Sequence, residues 1–212
     1  MATKKKRKSA KKSLWDFKFK KREPVDFKPD AKASTWVKTA RLTKLQQLQL
    51  AKWALYVLTI VVCLVMQDVL MSRIRIFGAT TDLAVCAIFL ITVIEGTEVG
   101  SLFVLIASVL YYFSGSAPGA YCIALITFLG IAAVIFRQLY WHRSKGSIVL
   151  CAGIAVTLYE IGLFIVGLMT GLTLWSRLGS FLLTGLFSTA ALIPLYPLIH
   201  KIGLIGGNTW KE

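Results

Sequence analysis

The sequence predicts an all-α membrane protein, a bundle of six transmembrane helices preceded by a basic arm. Two observations carry this. The chain is 56% hydrophobic and only 17% charged, with a mean hydropathy of +0.67, which excludes an ordinary soluble domain. Its 25 Lys and Arg against 10 Asp and Glu are segregated: the first 52 residues hold 17 of the basic residues and four of the acids. That is a local excess of 13 positive charges, and it leaves eight basic and six acidic residues to the remainder. The pI of about 9.9 therefore describes a tail and not a fold.

Residues 1–35 mix lysine runs with isolated aromatics and two prolines, a composition that does not support autonomous folding. Lys4, Lys5, Lys6, Arg7, Lys8, Lys11, Lys12, Trp15, Lys20, Lys21 and Arg22 form the expected binding arm. The plainer expectation is a disordered cytoplasmic segment on anionic lipid, each basic residue near the surface adding about 1 kcal/mol. The sharper one is docking to an acidic partner. Lys4–Lys8 also has the look of a nuclear localisation run, but the spans that follow make that a coincidence, and no nucleic-acid partner is expected. Residues 36–52 have apolar and basic positions at helical spacing (Val37, Ala40, Arg41, Leu45, Leu48, Lys52), predicting an amphipathic juxtamembrane helix.

The six spans are read on length, since a membrane helix needs roughly 20 mostly apolar residues. They are Trp53–Met71, Leu83–Ile94 with its flanks, Gly96–Phe113, Gly119–Tyr140, Ser147–Thr170 and Leu178–Ile199, with 204–212 as a short tail. Spans two and three read as a tight hairpin turning at Glu95–Glu98, because one long span would put both acids in lipid at about 2.5–3.5 kcal/mol each. Six spans with both termini cytoplasmic places most Lys and Arg inside and leaves only Arg73, Arg75 and Arg177 outside. The first apolar run starts too late for a secretory signal, so no cleavage is expected.

Cys63, Cys86, Cys122 and Cys151 lack CxxC spacing and read as small buried hydrophobes. His142 and His200 have no second ligand at metal spacing, and no phosphate loop, nucleophile elbow or paired carboxylates occur, so no catalytic, cofactor or metal site is expected. Glu160 is read as the one ionisable group deep in a span. It is either a functional acid, as a proton-coupled carrier would need, or a protonated packing element hydrogen-bonded across the bundle. Gly96-x-x-x-Gly100 and Gly167-x-x-x-Gly171 have small-xxx-small spacing, for helix contact or for a bend near a span end. Residues 114–119, with Gly115, Pro118 and Gly119, read as a turn, and Pro194 and Pro197 should kink or unwind span six.

The order of these features over residues 53–203 resembles the rod shape-determining protein MreD family. The first span ends in Gln67, and Thr81-Asp82-Leu83 opens the second where the family has Pro-Asp-Leu. Glu95-Gly96 and Gly100 form the hairpin, the 114–119 turn is similar to a Ser-Pro-Leu-Gly element, and Thr189, Pro194 and Tyr196 resemble the family's ending. The chain departs from the family near the end of span three, where Ser108 and Tyr111-Tyr112 replace glycines and an aspartate, and in its longer basic tail. The resemblance implies a non-enzymatic plasma-membrane component of the elongation machinery, linking MreB, MreC and the cell-wall synthases. The family's bundle is similar to the substrate-binding subunits (S-components) of energy-coupling-factor vitamin transporters, which supplies an alternative function.

Overall fold

The protein is seen in a computed structural model that describes residues 44–71, 73, 78–140 and 145–205. The arm residues from Lys4 to Arg22, like positions 36–43, His142 and the C-terminal residues from 206, lie outside the described residues. Among those described, the secondary structure is helical, with no strand. The helices are α1 (Lys44–Met66), α2 (Leu83–Glu95), α3 (Thr97–Phe113), α4 (Tyr121–Tyr140), α5 (Lys145–Met169) and α6 (Leu178–Gly203). A π-helical segment, Gln67–Met71, extends α1, and a 3-10 turn, Trp175–Arg177, leads into α6.

Four of these helices, α1, α4, α5 and α6, are long and apolar enough to cross a membrane. The other two are shorter. At 1.5 Å per residue the 13 residues of α2 reach about 20 Å and the 17 of α3 about 25 Å, against a hydrocarbon core of about 30 Å.

The sequence LAVCAIFLITVIE explains where α2 goes. It is apolar on every side, and a helix apolar all round belongs in an interior. Ala84 through Val93 are all fully buried, and α2 packs against each of the other five helices. It is the axis of the bundle. The outer helices bury only stripes: on α1 the buried residues are Lys52, Tyr56, Ile60 and Cys63, successive positions three or four apart on one face. The remaining apolar side chains of α1, including Leu50, Val57, Val61 and Val65, are exposed on the bundle's outer surface.

The turn between α2 and α3 is made by a single glycine. Gly96 has φ +87°, a conformation that side-chain-bearing residues rarely adopt, and it ends one helix while starting the next. Four residues on, a Cβ at Gly100 would lie 2.5 Å from the Thr92 carbonyl oxygen, so the close approach of α2 and α3 requires glycine there. The hairpin expected at Glu95–Glu98 is therefore present. The second glycine pair works differently: Gly171 (φ +71°) closes the end of α5, with Leu172 and Thr173 N–H groups donating back to the Gly167 carbonyl. It ends a helix and does not join two.

Two sequence expectations need correction. The juxtamembrane helix and the first span are not separate, because α1 runs without a break from Lys44 through Trp53 to Met66. Leu45 and Leu48, expected on the same face as Lys52, are exposed while Lys52 is buried. The helix is apolar on several faces from Trp53 onward, so bundle packing and not the upstream amphipathic stripe chooses its inward side. Second, of the kink or unwinding expected at Pro194 and Pro197 the unwinding is absent, since α6 continues through both. Each proline removes one N–H donor, and both side chains are exposed, so neither ring is forced into the packed interior. The four cysteines are buried and free.

Candidate functional site

Polar side chains gather at the two ends of α2, and the two gatherings differ in kind. At its C-terminal end the last residue, Glu95, opposes the helix dipole, whose negative pole lies there. Lys52 from α1 answers it: Nζ lies 2.6 Å from Oε1 and 2.8 Å from Oε2, and the Tyr56 hydroxyl donates to Oε1 at 2.6 Å. Lys52, Tyr56 and Glu95 are all at least nine-tenths buried. A second cation, Arg137 of α4, donates to the Val93 carbonyl in the same last turn. Glu95 and the Val93 carbonyl thus each meet a cation.

At the N-terminal end, Asp82 caps α2. Its carboxylate accepts from the Val85 N–H at 3.2 Å and from the Tyr111 hydroxyl at 2.9 Å, and its own N–H donates to Ser188 Oγ on α6 at 3.0 Å. Gln67, in the π-helical segment, accepts from the Ala84 N–H at 3.0 Å. Ser116 Oγ donates to Asp68 at 3.0 Å, tying the 114–119 turn to the end of α1. Asp82 lies just outside the apolar helices. Burial lifts its carboxyl to about 6, against the lowering pull of the Val85 and Tyr111 hydrogen bonds.

These residues wall a cavity of about 530 Å³. Gln67, Asp82 and Tyr111 form one side, Ser116 and Pro118 the turn, Glu160 and Leu163 the α5 side, and Arg177, Ser180, Phe181 and Thr184 the α6 side. Glu160 is 4% exposed and packs beside Gly185, where an added Cβ would stand 3.7 Å from its Cγ. It makes no hydrogen bond or ion pair among the described residues. Among the described residues the expected bond across the bundle is therefore missing, and Glu160 borders the cavity instead.

The structure thus brings together Gln67, Asp82, Pro118 and Glu160 from four separate stretches of sequence. It sets Glu95, Gly96 and Gly100 at the opposite end of α2. Gly115 (φ +78°) and Gly119 shape the turn, and Pro194 is on the outer surface of α6. Glu160 is not the one deep ionisable group, since Lys52 and Glu95 are as buried as it is. Sequence reasoning counted Lys52 with the basic tail, read Arg177 only as an outside charge and Tyr111 only as a departure from the family, and passed over Tyr56 and Ser188. The four-residue step from Lys52 to Tyr56 to Ile60 was the available signal that the lysine shares the inward face. No protein-family model, curated protein or solved structure matches the chain.

Proposed function

We propose that the chain is a non-enzymatic, six-span scaffold of the MreD type in the bacterial inner membrane, with both termini cytoplasmic. In this reading it couples MreB and MreC to the cell-wall synthases during lateral peptidoglycan growth. The observation that supports it most is where the residues of the resemblance fall. Gln67, Asp82, Gly96, Gly100 and the 114–119 turn sit at joints between helices, through Ala84, Tyr111, Ser188, Thr92 and Asp68. Residues at such joints preserve a bundle shape. The same bundle leaves α1 and α6 with little of their apolar surface buried, 28% and 17% of their most apolar stretches, which suits contact with lipid or with another protein's helices.

Depletion in the native cell is expected to give round or swollen cells, and rods of normal width would overturn the scaffold reading. A pull-down from detergent-solubilised membranes with and without residues 1–35 separates partners of the bundle from those of the basic arm. A second reading, a substrate-binding subunit of an energy-coupling-factor vitamin transporter, is favoured by one feature, the cavity. In the proposed orientation it opens to the extracytoplasmic side. Normal rods together with a small molecule co-purifying at one per chain would favour that reading.

A further inference from the structure

The three charged groups among the described residues of the cavity are not used alike. Asp82 has local partners in Val85 and Tyr111. Glu160 has none among the described residues, although it is 4% exposed. A buried carboxyl group without a hydrogen-bond partner is unfavourable whether ionised or protonated, unless the space in front of it takes a polar group. That space is present, and its volume of about 530 Å³ falls within the range of about 300–1,000 Å³ typical of small-molecule sites. On another part of the wall stands Arg177, exposed and in no ion pair among the described residues. The cavity therefore presents a buried acid, Glu160, a half-buried one, Asp82, and an exposed guanidinium.

We propose that the cavity binds a small zwitterion, with a primary ammonium group lodged against Glu160 and Asp82 and an anionic group held by Arg177. A guanidinium accepts carboxylate or phosphate in a two-pronged geometry. The acidic end selects for N–H donors: carboxylates need hydrogens to accept, whereas a quaternary ammonium is held by a cage of aromatic faces. Among the described residues of this wall only Tyr111 and Phe181 are aromatic, and the Tyr111 hydroxyl is engaged with Asp82. The same chemistry occurs in free aminoalkyl acids and in the headgroup of phosphatidylethanolamine. The inference rests on the cavity alone, so it stands or falls independently of the scaffold role.

The test uses the full-length protein, purified in detergent or placed in nanodiscs, with melting followed by tryptophan fluorescence. The probes are phosphoethanolamine, β-alanine and phosphatidylethanolamine, with phosphocholine and phosphatidylcholine as trimethylammonium counterparts. At least one primary-ammonium probe is expected to raise Tm by several degrees, and its trimethylated counterpart is not. A shift with phosphatidylethanolamine alone assigns the lipid headgroup as the source, and a shift with a soluble probe assigns a free solute. Glu160→Gln is expected to weaken binding at least tenfold and Arg177→Gln by less. If Glu160→Gln fails to fold, Ser180→Leu, which narrows the cavity from a half-buried wall position, serves in its place and is expected to abolish the shift. No shift with any probe, an equal shift with the trimethylated compounds, or undiminished binding in the substituted proteins would overturn the proposal.

Discussion

The two ends of α2 carry the same functional group in opposite electrostatic settings. Asp82 sits at the N-terminus, where the helix dipole and a free backbone N–H favour a carboxylate, so neutral partners suffice. Glu95 sits at the C-terminus, where the dipole disfavours it, and a lysine and a tyrosine within 3 Å compensate. The difference teaches where rigidity is placed. The Glu95 end is closed by the pairing of Glu95 with Lys52 and Tyr56, while the Asp82 end keeps an open cavity and an acid, Glu160, with no partner among the described residues.

The largest expected effect comes from breaking the closed end. Lys52→Met removes the ion-pair partner of buried Glu95, and breaking a buried pair in this way costs about 3–5 kcal/mol. In a detergent melting assay this should appear as a large fall in Tm or loss of folded protein. Adding Glu95→Gln should recover most of the loss, and failure to recover would mean the pair does not act as a unit.

Next comes Gly100→Val, at the closed end's other support. Its side chain would start 2.5 Å from the Thr92 carbonyl oxygen, so α2 and α3 must separate. Overpacking of this sort costs about 1–3 kcal/mol, read in the same melt, and unchanged stability would show that the hairpin gives way easily.

At the open end the effects are smaller. Asp82→Ala removes a helix cap and the acceptor of Tyr111, with about 0.5–2 kcal/mol expected for the cap. Tyr111→Phe, removing the second contact alone, is expected to lower stability by about 0.5–1.5 kcal/mol. Glu160→Gln should change the unliganded protein least of all, since no partner is lost. A destabilisation as large as that of Lys52→Met would erase the distinction between the two ends.

Much of this architecture was legible from residue order. The boundaries of α2 through α6 fall within a few residues of the apolar runs, because the length of an apolar stretch and the breakers around it are local properties. Gly96 was legible too, as a glycine between two acids at the break of a continuous apolar stretch. The polar sites were less so. Glu160 stood out because a single acid in an apolar run is conspicuous, yet its partner in the bundle was expected where there is a cavity. Lys52 was masked by the basic residues before it, although it belongs to the core and not to the tail.

What the sequence determined by itself is the segregation of charge from apolarity and the set of helices, since hydropathy and backbone self-satisfaction act along the chain. Tertiary structure alone decided that the short α2 is the axis, that Lys52 meets Glu95 across 43 positions, and that Asp82 and Glu160 border one cavity. The physical reason is the uniformity of these helices. A helix apolar on all sides has no sequence-encoded inward face, so the choice falls to where few polar groups find partners and where glycine allows backbones to touch.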